Sequence, residues 1–306
     1  MKKSLLSGAH LNDEKEAYAF LAKFRWPDDP ICVHCGHNKV YTLNVKNVKR
    51  TVLKCGKCRK QFSATVGTIF EDSHIPLTKW FQAIQLVCSS KKGISAHQLH
   101  RMLGITYKSA WFMEHRIRHA MKQTPYGGKL GGIVEADETY VGGKKHNVQH
   151  PLEGKAPVFA LVERGGRVRS FTMPLVTGSN LKKVINAHVE KSAALMTDEF
   201  AGYAKIGKDF ADHQTVNHSK KEYVRGTAST NTIEGYFSLL KRGLTGTYHH
   251  VSKHHLHRYL AEFDFRYNAR KSDDAMRVVL ALKHTEGVND HLKFPLVRSS
   301  EIPPSR

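Results

Sequence analysis

Residues 132–141 read Gly-Ile-Val-Glu-Ala-Asp-Glu-Thr-Tyr-Val and are followed by two glycines. The apolar and β-branched residues predict a buried strand that ends at those glycines. Side chains alternate between the two faces of a strand, so Glu135, Asp137 and Thr139 are expected on one face. Glu138 is expected on the opposite face, which means that Asp137 and Glu138 should not point into the same site.

Strand and helix patterns alternate from this stretch to about residue 245. Further strands are predicted at 156–163 and 168–176, joined by the hairpin signal Arg164-Gly-Gly-Arg167. A helix at 180–191, a strand at 193–198 and a helix at 230–241 follow. Three antiparallel strands, a helix, a strand and a later acidic helix are the order of a ribonuclease-H-like fold. The sequence therefore predicts a ribonuclease-H-like mixed-sheet core.

Three acids stand at a spacing typical of metal-dependent enzymes that cut phosphodiesters. Asp198 ends the strand at 193–198, and 35 residues separate it from Glu234 on the following helix. Converging carboxylates would supply oxygen ligands for two Mg²⁺ (or Mn²⁺) ions, which hold the attacking and the leaving oxygen of a phosphoryl transfer. Asp137, Asp198 and Glu234 are therefore the predicted catalytic metal ligands.

Lys241 follows Glu234 by seven residues, which is two helical turns, so both side chains project from one helical face. A lysine in this position can hold a DNA phosphate as a point charge, and we predict this catalytic role for Lys241. The alternative is one more solvated lysine in a basic protein.

Four cysteines form two Cys-x-x-Cys pairs, Cys32-Val-His-Cys35 and Cys55-Gly-Lys-Cys58, with 19 residues between them. This spacing predicts one structural Zn²⁺ held by four thiolates in a zinc ribbon. Strand-like pieces at 40–43 and 51–54 lie between the pairs. The alternative is a set of reduced core cysteines, which is the role we expect for the remaining one, Cys88.

Residues 75–124 read as three helices. Ser95 is expected to cap the second helix, which Gly104 ends, and Thr106 to cap the third. A helix, a glycine-containing turn and a basic helix are typical of a helix-turn-helix that binds DNA, although a plain three-helix packing unit has the same periodicity. The candidate DNA contacts are Lys108, Arg116 and Arg118.

The chain of 306 residues carries a formal net charge of +21. A charge of this size indicates a polyanionic partner, and nucleic acid is favoured over an anionic membrane surface because the basic residues spread over folded-looking segments. No apolar run is long enough for a membrane span or a signal peptide. We therefore expect a cytoplasmic, nucleoid-associated protein that binds double-stranded DNA and no membrane.

These patterns together predict a multi-domain α+β protein. The expected segments are a helical lead at 1–27, the zinc ribbon at 28–70, the helix-turn-helix at 75–124, a catalytic core with C-terminal helices at 130–285, and a loose tail at 286–306. Further DNA contacts are predicted for Arg242, Arg266 and Arg270, since arginines suit phosphate binding. The histidines between 249 and 257 favour DNA contacts over a metal site.

Several longer stretches add a family resemblance. They are Asp137–Lys144, Thr197–Glu199, Asn231–Gly243, Gly246–Ser252, Tyr259–Arg270 and the cysteine segment Cys32–Cys58. In these stretches the chain resembles the bacterial insertion-sequence transposases related to the Merlin group. The resemblance implies a DDE integrase-like core that cuts and joins the terminal inverted repeats of its own element and inserts them into target DNA. It also implies a homodimer or a larger assembly on DNA, because strand transfer joins two ends.

The third acid has an alternative, because some members of that group carry asparagine there. Asn231 lies three residues before Glu234 on the same helical face. A carboxylate binds a hard dication better than an amide does, so Glu234 is favoured and Asn231 becomes a second ligand or a neighbour of the site.

Two other functions fit the same motifs. One is a DNA-binding regulator with an inactive core, and the other is a ribonuclease-H-like nuclease that cuts without strand transfer. The intact acids argue against the regulator, and the two recognition modules before the core favour transposition over simple cutting.

Overall fold

The computed structural model describes residues 7–45, 50–122, 127–142 and 154–286. Within them the α-helices are α1 (Glu14–Arg25), α2 (Leu77–Ser89), α3 (Ala96–Leu103), α4 (Tyr107–Lys122), α5 (Gly178–His188), α6 (Asn231–Gly243), α7 (Leu256–Asn268) and α8 (Asp274–Lys283). The strands are β1 (Val40–Leu43), β2 (Val52–Cys55), β3 (Gln61–Phe62), β4 (Ile133–Val141), β5 (Ala156–Glu163), β6 (Val168–Thr172), β7 (Ala194–Thr197), β8 (Asp212–Thr215), β9 (Val224–Arg225) and β10 (Ala228–Ser229).

The chain forms two compact units. The first unit consists of Met1–Ser90, Ile94–Gln123 and Asp273–Arg306, and the second consists of Lys91–Gly93 and Thr124–Ser272. The second unit is thus inserted, in sequence, into the first.

The first unit combines a three-stranded antiparallel sheet, in the order β1-β2-β3, with α1 to α4 and α8. The helix boundaries follow their caps. The Ser95 side chain accepts a hydrogen bond from the Gln98 amide, and Gly104 ends α3 in the left-handed region at φ 62°. The Thr106 hydroxyl likewise accepts from the Ser109 amide at the start of α4. These three cap residues are the ones that the sequence predicts.

Helix α8 is placed differently from the prediction, which assigned residues up to 285 to the catalytic core. It packs against α2 in the first unit, where Ala281 and Leu282 are buried. The Ile69 amide donates to the Thr285 carbonyl at 3.0 Å, and Arg25 pairs with Glu286 at 3.0 Å. Helical periodicity shows that α8 has an apolar face but not which neighbour covers it. The rest of the predicted tail, residues 287–306, lies outside the described residues.

The second unit is built on a five-stranded mixed sheet in the order β6-β5-β4-β7-β8. β4, β5 and β6 are antiparallel neighbours, while β7 runs parallel to both β4 and β8. The predicted hairpin at 164–167 is present, since the Glu163 amide donates to the Arg167 carbonyl at 2.8 Å. The expected meander of three strands is therefore confirmed, with β6 ending at Thr172 and not at residue 176.

Helices cover both faces of this sheet. One buried apolar cluster joins β4 and β5 to α5, through residues such as Ala136, Leu161 and Ile185. The opposite cluster joins β5 to α6 and α7, through residues such as Val158 and Leu240. Burial on both faces makes the sheet a rigid support, and the candidate site lies along β4.

Among the described residues, no helix combines the length and the apolar character that crossing a membrane requires.

Candidate functional site

A cavity of about 540 Å³ lies in the second unit, and four carboxylates, three basic side chains and three further residues line it. The lining residues are Asp137, Glu138, Thr139, Asp198, His218, Glu234, Phe237, Ser238, Lys241 and Arg242. The structure therefore brings together the three predicted acids and the predicted lysine, although they are far apart in sequence.

The position of Asp137 follows from the sheet. β7 pairs with β4 only as far as the Glu135–Met196 pair, and Asp198 comes directly after β7 ends. Beyond that pair, no strand among the described residues pairs with β4 on the β7 side. Asp137 and Asp198 consequently lie beside a notch in the described sheet, where both line the cavity.

Glu138 lines the same cavity, so the prediction that Asp137 and Glu138 should not point into the same site is wrong. Alternation does place the two side chains on opposite faces, with Asp137 opposite Ala160 and Glu138 opposite Phe159 on β5. At the open edge of β4, however, side chains from both faces reach one cavity. The phenol of Tyr203 holds Glu138 there through a 2.7 Å hydrogen bond to Oε2.

Helix α6 carries Glu234, and a fully buried carboxylate attaches the start of this helix to β4. Glu135 accepts hydrogen bonds from the Ile233 amide and the Thr232 hydroxyl, both at 2.9 Å. Its third partner is Arg164, at 2.7 Å. Glu135 shares a face with Asp137, as predicted, but it positions α6 and does not line the cavity.

The two candidates for the third acid are separated by the structure. Glu234 lines the cavity, whereas Asn231, the exposed first residue of α6, is not among the lining residues. Lys241 and Arg242 lie later on α6 and face the cavity with exposed side chains.

The electrostatics of the cavity are those of crowded carboxylates. Burial, together with the nearby charges of Asp198, Glu138 and Glu234, raises the pKa of Asp137 to about 8, although the Glu138 amide that donates to Oδ1 at 2.7 Å opposes the shift. Burial also raises the pKa values of Glu138 and Asp198. Hard oxygen donors that repel one another in this way fit a divalent cation such as Mg²⁺.

His218 is a residue of the cavity that the sequence patterns do not reveal. Its Nε2 lies 3.1 Å from the Thr230 hydroxyl and 3.7 Å from Oε1 of Glu234. Glu199 fixes this segment, because its carboxylate accepts from the amides of His218 and Ser219 and from the Ser219 hydroxyl. His218 belongs to the short segment between β8 and β9. This segment shows neither helical nor strand periodicity in the sequence, so no motif predicts that His218 lines the cavity.

The four predicted zinc ligands converge in the first unit. The sulfurs of Cys32, Cys35, Cys55 and Cys58 all lie within 4.8 Å of one another. The Cys32–Cys58 and Cys35–Cys55 sulfur distances are both 3.6 Å, close to the roughly 3.8 Å edge of a tetrahedron with Zn–S bonds of about 2.3 Å. The site therefore fits Zn²⁺. Among the described residues, these cysteines are the only group of three or more histidines, cysteines or acids whose ligand atoms all lie within 4.8 Å of one another. The carboxylates of the cavity are spaced more widely than this, and the histidines near 250 form no comparable group.

The predicted DNA contacts are placed unequally. Lys108 is exposed at the start of α4. Arg118 is 1% exposed and pairs with Glu114 at 2.9 Å, so its assignment as a DNA contact is wrong: it is part of the core of the first unit. Arg116 is partly buried and donates to the Ile69 and Glu71 carbonyls.

The two arginines near the end of α7 also have partners within the second unit. Arg266 pairs with the buried Glu262. Arg270 is exposed, stacks on Tyr267 at 4.1 Å and donates to the Gly166 carbonyl.

Two family models match the chain. An ISXO2-like transposase domain covers residues 129–268, which include every residue of the cavity, and a transposase zinc-ribbon domain covers residues 12–61, which include the four cysteines. A curated relative from Halobacterium salinarum, an uncharacterized protein in transposable element ISH50, is 29% identical over 288 residues. The match covers 87% of this chain and 96% of that relative. The chain therefore belongs to the insertion-sequence transposases that carry an amino-terminal zinc ribbon.

Proposed function

We propose that this transposase cuts the inverted-repeat ends of its element and joins them to target DNA by metal-assisted phosphoryl transfer. One observation carries the proposal: Asp137, Asp198, Glu234 and Lys241 line a single cavity although they come from three separate elements of the second unit. A structural role alone would not require three acids to be held together at the cost of mutual repulsion.

The topology of the second unit supports a ribonuclease-H-like core. The strand order β6-β5-β4-β7-β8 is third, second, first, fourth and fifth along this sheet, with the first three strands antiparallel and the last two parallel to the first. The acids then fall on the central strand, after the fourth strand and on a helix beside the sheet, where this fold carries its active site.

Asp137, Asp198 and Glu234 would hold two Mg²⁺ or Mn²⁺ ions, and Asn231, one turn before Glu234 on α6, is the alternative to Glu234 as the third ligand. When bound, such ions lower the pKa of water and neutralise charge on the phosphate. Lys241 and Arg242 lie on the same wall and would hold phosphate oxygens of the DNA in line with the attacking group. Glu135 keeps α6, and with it Glu234 and Lys241, at a constant distance from Asp137.

The first unit would recognise the DNA. We assign one structural Zn²⁺ to the four cysteines, and α3, the turn at Gly104 and α4 to a helix-turn-helix with Lys108 directed at DNA. Two ends must meet in strand transfer, so the working form is a homodimer or a larger assembly in the bacterial cytoplasm.

A cleavage assay with oligonucleotides that carry the inverted repeats found beside the gene tests the proposal. We expect Mg²⁺-dependent cutting followed by joining, and we expect Asp137→Ala, Asp198→Ala and Glu234→Ala each to abolish both while DNA binding remains. Asp209→Ala is the matched control, because Asp209 pairs with Lys182 outside the cavity lining.

The outcomes separate the rival functions. Cutting without joining indicates a nuclease, and binding alone indicates a regulator. Full activity in any of the three cavity variants would contradict the role of that acid. Activity that is retained in Glu234→Ala but lost in Asn231→Ala would identify Asn231, and not Glu234, as the third metal ligand.

A further inference from the structure

Exposed apolar side chains in the second unit concentrate around the candidate active site. Among the described residues of this unit, the large apolar side chains that are exposed are Leu175, Phe200, Tyr223, Val224 and Leu239. Phe200 and Tyr223 contact a residue of the cavity, Leu239 directly follows one, and Val224 follows Tyr223. We refer to Phe200, Tyr223, Val224 and Leu239 as the rim residues.

Each connection to the cavity is short. The Phe200 amide donates to Oδ1 of Asp198 at 3.0 Å, and Leu239 directly follows Ser238 on α6. The ring of Tyr223 meets the ring of His218 edge to face at 5.4 Å. Val224 is the next residue along the chain.

Tyr223 and Val224 are presented by an anchored hairpin. β9 and β10 pair antiparallel around a turn at Gly226-Thr227, where Gly226 has φ 61°. Arg164 fixes the hairpin by donating to the carbonyls of Thr227 in the turn and Ser229 on β10. Ala228 is buried beside Met196 and Val216. The exposed side chains are therefore held in place by a built support.

The charges around the rim identify the partner. Lys220, Lys221 and Arg225 are exposed on the same segment, and Lys241 and Arg242 are exposed on α6. Cations suit a phosphate backbone, but apolar and aromatic faces do not. A paired duplex stacks its base faces inside the helix and shows proteins only base edges and phosphates. Exposed base faces, which stack well on aromatic side chains, occur where bases are unpaired.

We propose that the rim residues stack on unpaired bases, so that the DNA engaged at the cavity is a duplex whose terminal base pairs have been opened. This proposal deepens the proposed function, since it presumes that DNA enters the cavity, but it concerns the state of that DNA and not its chemistry. Tyr223 is the main stacking residue, and Val224 follows it at the start of β9, opposite Ser229.

The test is a binding comparison in the absence of divalent cations. One probe is a labelled duplex with a short fork of unpaired nucleotides at one end, and the other is the same duplex fully paired. We expect the wild-type protein to prefer the fork by about tenfold, the scale of one base stacked on an aromatic ring. Tyr223→Ala should remove the preference and Tyr223→Trp should keep it, because tryptophan also offers a flat ring.

Leu175→Ala is the matched control, since it removes an equally exposed apolar side chain that does not adjoin the cavity. A wild-type protein without fork preference, or Tyr223→Ala with undiminished preference, would overturn the proposal. The same holds if Tyr223→Ala keeps the fork preference but lowers the oligomeric mass, because the rim would then be a contact between protein chains.

Cleavage distinguishes this proposal from the proposed function. With protein at saturating concentration, Tyr223→Ala should cut a paired end about tenfold more slowly than wild type, and on a forked end it should recover most of that loss. If the wild-type protein prefers forks but cuts neither substrate, the stacking proposal stands and only the proposed cleavage activity is contradicted. If Tyr223→Ala lowers the cleavage rate equally on both substrates, only the stacking proposal is contradicted.

Discussion

The hydroxyl of Tyr203 donates a 2.7 Å hydrogen bond to Oε2 of Glu138 and so joins the segment after Asp198 to the strand that carries Asp137. Tyr203 is fully buried, and burial raises its pKa well above the usual value, so that the phenol keeps its proton. A buried donor to an acidic group stabilises by about 1–3 kcal/mol. We expect Tyr203→Phe to lower the free energy of unfolding by that amount and to slow cleavage, as urea titration and the oligonucleotide assay would measure.

Tyr140→Phe is the control for this change. Tyr140 lies on the same strand, and its hydroxyl makes no hydrogen bond within the described part of the chain. An equal loss of stability in both variants would show that the hydrogen bond to Glu138 is not the cause.

Asp137 predicts a pH dependence of stability in the metal-free protein. Its folded-state pKa is raised to about 8 from an ordinary value near 4, so the folded state binds the extra proton between these limits. Stability from this group is complete below about pH 4 and declines as the pH rises to about 8. Asp137→Asn removes the decline, and in chelator its melting temperature should exceed that of wild type at pH 8 but not at pH 4.

Added Mg²⁺ should reverse this order. The ion stabilises the wild-type site and has less to bind in the variant. A wild-type melting temperature at pH 8 that does not respond to Mg²⁺ would contradict a metal role for Asp137.

Glu135→Ala should detach the start of α6. Removing one partner of a buried ion pair costs about 3–5 kcal/mol, because Arg164 and the Ile233 amide lose their acceptor. Glu163→Ala is the matched control on the same sheet, since it breaks a partly exposed pair with Arg167 at 3.4 Å and should cost about 1 kcal/mol or less. Equal unfolding free energies for the two variants would contradict the role of Glu135 in attaching the start of α6 to β4.

Zinc removal should act on the first unit. We expect one zinc per chain by metal analysis, and Cys32→Ser should lose the metal and unfold the β1-β2-β3 sheet. Cys88→Ala should keep the metal, because Cys88 lies on α2 outside the quartet. Metal-free wild-type protein with an unchanged sheet would contradict a structural zinc.

Lys108 and Arg118, two basic residues of α4, should respond in opposite ways. Lys108→Ala should weaken DNA binding and reduce the slope of affinity against salt by about one, the effect of a single phosphate contact. Arg118→Ala should instead destabilise the protein by about 3–5 kcal/mol, because it leaves Glu114 buried without its cation. Binding assays at several salt concentrations and urea unfolding separate the two effects.

Sequence patterns predicted the features that local spacing controls. The cysteine pairs, the caps at Ser95 and Gly104 and the strand that carries Asp137 all depend on residues close in sequence. Side-chain alternation holds at Glu138, but it did not predict that both faces reach one cavity, because that depends on where β7 stops pairing with β4, beyond Glu135. The prediction of Arg118 as a DNA contact was wrong, because helical periodicity does not distinguish a solvated arginine from one that is paired with an acid in the core.

Helix α8 has a genetic consequence. Arg277 and Thr285 contact Cys88 and Ile69 of the first unit, yet they are encoded after the whole of the second unit. A gene copy interrupted by a stop codon before codon 273 therefore does not encode an intact amino-terminal unit. Such decayed copies would not supply a partial protein that occupies the element's ends and blocks the full-length enzyme.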